Sequence, residues 1–157
     1  MSASGAEEYD FNLGLQLLSL KKTKDALALL EKAYAKNPGE LRYALGLSRC
    51  LFIEGQYQRV KDILGPWKGE RATDLVLYFL AKSAHSLGLL DEAISDYNDY
   101  FSRFGVNLEL LNLLGTAHYQ KGNTGDALRA WKRSLEINPN QENIRKLVQS
   151  IEEKSRR

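Results

Sequence analysis

Two histidines, His85 and His118, and one cysteine, Cys50, are the side chains in this sequence best suited to metal or nucleophilic chemistry. A structural zinc centre takes four nitrogen or sulfur ligands, grouped at short spacings. With one thiol and no second ligand at such a spacing, no metal is expected. A Cys50–His85 pair would make a thiolate nucleophile, but no oxyanion-stabilising motif stands beside it. Cys50 reads instead as a small core residue. The stretches GNTG and LGLL lack the lysine and following Ser or Thr that a phosphate-binding loop needs. The acids of DEAISDYND fall on what reads as the outer, solvated side of a helix. The expectation is a protein without catalytic residues, metal or cofactor, and not an enzyme.

Composition excludes further classes. The net charge of +2 over 157 residues is too small to argue for nucleic acid, and KKTK and KSRR are too brief to form a basic stripe. LGLQLL and LVLYFLA are too short to span a bilayer, so no direct membrane insertion is expected. One cysteine excludes an internal disulfide framework. The start, MSASGAEEYD, has no basic region leading into an apolar run. A cytoplasmic protein is the simplest expectation; a small, polar start equally suits the trimmed edge of a longer protein that has lost a signal or anchor.

Stepping along the chain reveals what holds these residues. Ala127, Ala93, Val60 and Ala26 are separated by 34, 33 and 34 residues. Gly122, Gly88, Gly55 and Lys21 share those steps, as do the small residues Gly115, Ala81, Ser48 and Gly14. Pro139, Gly105 and Pro38 form a weaker column. Four copies of one unit follow, at about 7–40, 41–73, 74–107 and 108–141 of a single domain spanning 1–157. In the last copy, LELLNLLGTAHYQK and DALRAWKRSLEI both carry apolar residues three and four apart, the helical spacing. Gly122-Asn123 breaks the first helix and Asn138-Pro139 stops the second. So short a turn makes the pair antiparallel, and the small Gly115 is expected to face Ala127, with Trp131 and Leu128 filling the adjoining space. In the second copy, Gly65-Pro66 should end its second helix about two turns early. Trp67 then either plugs the gap or stands out as a contact point beside Lys68 and Arg71. Residues 142–157 read as one more amphipathic helix, with Ile144, Leu147, Val148 and Ile151 as its stripe. Such a helix closes the last apolar face of a stack; docking a second molecule is the alternative.

These columns resemble the tetratricopeptide repeat, whose motif has Leu-Gly, an aromatic, a Gly turn, an alanine, an aromatic and a closing proline. Leu111, Leu114-Gly115, His118, Gly122, Ala127, Trp131 and Pro139 take those places in the fourth copy. Leu13-Gly14, Ala26 and Pro38 match in the first, Leu80-Ala81, Gly88, Ala93 and Tyr97 in the third. The second keeps only Leu47-Ser48, Gly55 and Val60. The resemblance covers about 135 of the 157 residues. It implies an all-α, right-handed α-solenoid of four antiparallel helix-turn-helix repeats with a C-terminal capping helix. The first helix of each repeat would then line a concave groove.

By that resemblance the groove residues are Phe11, Asn12 and Leu15 of the first copy, and Leu45, Arg49 and Phe52 of the second. The third supplies Tyr78, Phe79, Lys82 and His85, and the fourth Asn112 and Tyr119; Glu8, Arg42 and Leu75 lie on the same faces. Aromatic and aliphatic side chains grouped around Arg49 and Lys82 suit an apolar or amphipathic peptide with a complementary acidic group. Part of the set would serve equally as inter-helix core. Members that grip the acidic tails of heat-shock chaperones use lysines, an arginine and asparagines. The corresponding places here are Phe11, Leu15, Gly46, Leu75 and Phe79, or, one copy later, Leu45, Arg49, Phe79, Glu109 and Leu113. Neither set can clamp a carboxylate tail, so that partner is not expected. The expected function is a non-catalytic adaptor for a protein or peptide partner. A self-associating scaffold (a homo-oligomer) and a regulatory domain of a larger enzyme or secretion-machinery protein are the alternatives.

Overall fold

The computed structural model describes residues 3–156, and all the regular structure among them is helical. The chain forms two compact units, one running up to Leu87 and one from Gly88 onward. The first contains α1 (Ala3–Ser19), α2 (Thr23–Lys36), α3 (Leu41–Ile53), α4 (Tyr57–Leu64), a 3-10 turn at Gly65–Trp67, and α5 (Asp74–Ser86). The second contains α6 (Leu90–Phe104), α7 (Leu108–Gln120), α8 (Thr124–Ile137) and α9 (Glu142–Ser155). Within each unit consecutive helices pack as neighbours, giving the hairpin fold and terminal helix that the repeat columns predict. No helix among the described residues is long and apolar enough to cross a membrane.

The turns inside the hairpins show why one column is glycine. Gly55, Gly88 and Gly122 take φ of 74°, 75° and 81°. In two of these turns the next amide closes a six-residue loop: Gln56 N–H donates to the Leu51 carbonyl at 2.8 Å, and Asn123 N–H to that of His118 at 2.9 Å. This is the Schellman ending of a helix, which needs a left-handed residue at its tip. The first copy makes the same bond, from Lys22 N–H to Leu17 at 2.9 Å, but its left-handed residue is Lys21 at φ 60°. A side chain there strains the backbone by about 1–2 kcal/mol. Lys21→Gly is therefore expected to stabilise the protein by about 1 kcal/mol once glycine's extra unfolded-state freedom is subtracted. Thermal unfolding should shift up by about 2–4 °C; an unchanged or lower midpoint would contradict the strain argument.

The column of small residues makes room for large buried side chains. A Cβ on Gly115 would lie 2.4 Å from Nε1 of Trp131 and 2.6 Å from its Cδ1, so the atoms nearest Gly115 are those of the indole. Gly14 repeats the arrangement, with a Cβ site 2.8 Å from Cγ of Leu30. In both hairpins the small residue admits the large buried side chain sixteen positions later, and at Gly14 the Ala26 carbonyl also lies 3.4 Å from the Cβ site. Trp131 is fully buried, and its Nε1–H donates to the Asn112 carbonyl at 3.0 Å. Val148 and Ile151 of α9 pack on Trp131 and Ala127, with Ile144 and Leu147 at the edge, as the terminal stripe requires. Lys132 pairs with Glu152 at 2.5 Å and ties α8 to α9, holding the Glu152 carboxyl below its usual range.

Three details complete the comparison. Gly65-Pro66 does cut α4 short, to 8 residues against 14 in α2 and 15 in α6. Trp67 sits half-buried on the 3-10 turn that follows. The carboxylates of α6 are not all on a solvated face: Asp96 is 1% exposed. It stands one residue before the buried Tyr97 and four before the buried Tyr100, so helical spacing carries it inward.

Candidate groove in the first unit

Three first helices of the first unit, α1, α3 and α5, bring Phe11, Leu15, Leu45, Arg49 and Phe79 around one notch of about 380 Å³. Arg42, Gly46 and Leu75 complete its lining. Periodicity explains the set. Leu45 and Arg49 stand four apart on α3, as do Leu75 and Phe79 on α5 and Phe11 and Leu15 on α1, so each pair shares a face. Phe11 is 6% exposed and forms the floor, its ring 4.8 Å from that of Tyr43. Leu15, Leu45 and Phe79 are half-buried, whereas Leu75 is 48% exposed at the rim.

Gly46 makes the notch possible. A Cβ there would lie 2.6 Å from Cε2 of Phe11 and 3.5 Å from Cδ2 of Leu15. Mid-helix glycine costs about 1 kcal/mol relative to alanine, and here that cost admits the Phe11 ring across α3. The sequence does signal it, as a glycine inside an otherwise helical pattern, but only the contacts assign it to this floor.

Charge at one end of the notch is already committed. Arg42 donates to both carboxylate oxygens of Glu8, at 3.3 and 3.2 Å, and to Glu40 at 3.3 Å. The Tyr43 hydroxyl donates to the same Glu8 at 3.1 Å. The Arg42 guanidinium also lies 5.9 Å from the Phe11 ring centre and 5.7 Å from that of Tyr43. These bonds, first from Arg42 and then from Tyr43, hold the Glu8 carboxyl below its usual range. A depressed carboxyl contributes stability above its unfolded pKa, near about 4.3, and loses it as pH falls through the folded value. Stability should therefore drop between about pH 5 and pH 3 more steeply in the wild type than in Glu8→Gln. Parallel urea midpoints for the two proteins across that range would contradict the linkage. Arg49, by contrast, is exposed at the rim and makes no ion pair among the described residues.

An aromatic group adjoins the notch. Phe52 lies 5.7 Å from Phe79 and 5.1 Å from Tyr57, and Tyr78 meets Phe79 edge-on at 5.3 Å. The Lys82 ammonium rests 5.1 Å from the Phe52 ring centre and 4.7 Å from that of Tyr78, donating to the Tyr78 hydroxyl at 2.9 Å. His85 is half-buried one turn further along α5. Asn12 is exposed on α1 and donates to Glu8 at 3.4 Å.

Asn112 and Tyr119 belong to the second unit. The Asn112 amide donates to Gln141 at 2.7 Å, and Tyr119 is exposed with its ring 5.9 Å from Trp131. Gln141 is a residue that pattern reading misses. Its amide donates to the Ser134 and Asn138 carbonyls, both at 3.0 Å, adding to the Asn138 N–H that already reaches Ser134 at 2.9 Å at the end of α8. Cys50 is fully buried and donates to the Thr23 carbonyl at 3.4 Å; burial pushes its thiol pKa up, as befits a core residue.

Residues 19–99 match the family model described as Anaphase-promoting complex, cyclosome, subunit 3, and residues 108–141 match that described as Tetratricopeptide repeat. No curated protein matches the sequence. Among solved structures, MamA AMB-1 is similar at a TM-score of 0.79 and 19% identity, covering 90% of this chain and 78% of that one. MamA 41-end from Desulfovibrio magneticus RS-1 gives 0.75 at 16% identity, with 86% and 77% covered. The pilF of Pseudomonas aeruginosa gives 0.77 at 18% identity, with 98% and 70% covered. At such identities the likeness is one of fold. The family matches extend over both units, and the repeats of this fold present surfaces to other proteins rather than reacting groups to substrates. The chain belongs to the tetratricopeptide and Anaphase-promoting complex, cyclosome, subunit 3 type of helical-repeat family, and is a non-catalytic protein-interaction module.

Proposed function

We propose that the protein holds an apolar or amphipathic peptide segment of a partner, with one large apolar side chain in the Phe11–Phe79 notch and an acidic group on Arg49. The same reading takes residues 1–157 as one repeat domain acting as an adaptor in the cytoplasm. The supporting observation is the notch itself: about 380 Å³, walled by aliphatic and aromatic side chains, with the exposed Arg49 guanidinium, which makes no ion pair among the described residues, at its rim. A purely solvated surface gains nothing from such a lining, whereas binding hot spots combine an apolar pocket with arginine or aromatic anchors. Arg42 is the weaker anchor, because Glu8 and Glu40 already engage it.

Calorimetry with two synthetic helical peptides tests this reading: one carrying Leu-Leu followed a turn later by Asp, the other with Lys in place of Asp. The Asp peptide is expected to bind at least about tenfold more tightly, and Phe79→Ala to weaken it by about tenfold or more without loss of helicity. Equal affinity for both peptides would remove Arg49 from the account. Collapse of helicity in Phe79→Ala would make that residue core and not lining.

A further inference from the structure

Two grooves, each between consecutive second helices of the repeats, are equivalent in sequence and differ in what crosses them. In the first unit, α2 and α4 border a groove of about 340 Å³ over Leu47 of α3. In the second, α6 and α8 border one of about 700 Å³ over Leu114 of α7. Leu47 and Leu114 lie 67 positions apart, a step of two repeats. The same step maps Glu31, Arg59, Asp62 and Ile63 of the first groove onto Asn98, Asp126, Arg129 and Ala130 of the second.

These replacements open the second groove. Arg59 donates to Glu31 at 2.7 Å, so in the first unit an ion pair ties α4 to α2 across the gap. Asn98 and Asp126 carry no such pair of opposite charges, and Asp126 pairs with Arg129 on its own helix. Ala130 in place of Ile63 takes three carbon atoms out of the groove. Beneath them the fully buried Leu51 gives way to His118, which is half-buried. The His118 Nδ1 lies 4.0 Å from the Asp126 carboxylate, beyond hydrogen-bond reach, and has no hydrogen-bond partner among the described residues.

The charge of the open groove comes from α8. Arg129 and Arg133 stand four apart and share a face, with Asp126 and Glu136 at the two ends of the row. Arg129 is engaged by Asp126, and Lys132 by Glu152. Arg133 is exposed and makes no ion pair among the described residues. The first unit has no counterpart to it, since the equivalent position is Pro66, past the end of α4. We propose that the α6–α8 groove is a second binding site, for a small organic anion with a flat apolar body. The body lies along Leu114 and Ala130 against the His118 ring, and the acidic group meets Arg133. A volume of about 700 Å³ is that of a small-molecule pocket, and an exposed guanidinium beside an apolar floor suits an anion and not a cation. Glu136, a turn beyond Arg133, repels a second acidic group, so the ligand carries one. This site lies wholly in the second unit and does not depend on the notch of the first.

The probe is 1-naphthalenesulfonate, a flat apolar body with one anionic group, titrated into the intact ¹⁵N-labelled protein. Saturable amide shifts are expected at Leu114, His118, Ala130 and Arg133, and Arg49→Glu should leave them unchanged. Arg133→Glu, at an exposed position, should weaken binding by at least about tenfold. The ammonium 1-naphthylmethylamine, with the same body and opposite charge, should bind at least about tenfold more weakly to the wild type. Asn98→Glu/Asp126→Arg rebuilds the cross-groove pair of the first unit and should abolish the shifts, with circular dichroism confirming that the helices remain. No saturable shift at those four amides, equal affinity for the two naphthalenes, or wild-type affinity in Arg133→Glu would overturn the proposal. Loss of the shifts in Arg49→Glu, or their survival in the helical double variant, would overturn it as well.

Discussion

Trp131→Ala is expected to lower the unfolding free energy by about 3–5 kcal/mol, the largest single-site effect in the molecule. The indole is fully buried, makes the centre of the cluster with Ala127, Val148 and Ile151, and donates its only hydrogen bond to Asn112. Truncation removes the ring, leaves a cavity under α9 and takes one donor from the Asn112 carbonyl, which keeps the Thr116 hydroxyl at 3.1 Å. Two costs then add: lost apolar transfer and an unrelaxed void. Since domains of this size are stable by only about 5–15 kcal/mol, the variant should lose much of its margin. Urea unfolding monitored by circular dichroism measures this. A loss below about 1 kcal/mol would mean that α9 collapses onto the space, and that the cluster is far softer than its burial indicates.

Gly115→Ala is the second large effect, and its sign depends on Trp131. In isolation the change should favour the helix, since alanine exceeds glycine by about 1 kcal/mol in a helix interior. Against this, the new methyl would meet Nε1, Cδ1 and Cε2 of the indole at 2.4, 2.6 and 2.7 Å. Those atoms belong to a rigid ring held by its own hydrogen bond, so the clash is not relieved by rotating a flexible tip. Overpacking of this kind costs about 1–3 kcal/mol, which outweighs the propensity gain. In a Trp131→Ala background the obstacle is gone, and Gly115→Ala should become neutral or stabilising by up to about 1 kcal/mol. A double-mutant cycle reads the reversal directly. Additive effects would show that the glycine serves some other contact.

Much of this architecture was legible in the sequence because each repeat column has one physical cause. The glycine column marks left-handed turn tips, and it even exposes its exception, Lys21, which keeps the turn at the expense of strain. Gly65-Pro66 announces the shortened α4 because proline cannot donate to the helix ladder. The apolar stripe of α9 follows from spacing alone. What spacing cannot convey is which neighbour a small residue admits. Gly115 was expected to face Ala127 with Trp131 beside it, and its nearest atoms are those of Trp131, since a column records size and not which partner comes closest. Asp96 was misplaced for a related reason: acids clustered on a helix suggest a wet face, but spacing from Tyr97 and Tyr100 carries this one inward.

The proposed site divides in the same way. Residues four apart on one helix, such as Leu45 with Arg49 or Leu75 with Phe79, are readable as pairs and do converge on the notch. Gly46, which opens the floor for Phe11, and the commitment of Arg42 to Glu8 depend on contacts across 34 or more residues of sequence. Asn112 shows the converse. It falls on a first helix in the groove register, yet its amide is spent on Gln141 at the end of α8.

The most direct test of peptide capture is a map of backbone amide shifts in the intact, ¹⁵N-labelled protein titrated with the Leu-Leu/Asp peptide. Occupation of the notch predicts the largest shifts at Leu45, Gly46, Arg49, Leu75 and Phe79, abolished by Arg49→Glu. Shifts confined to the exposed faces of other helices, with those five amides unmoved at saturation, would contradict it.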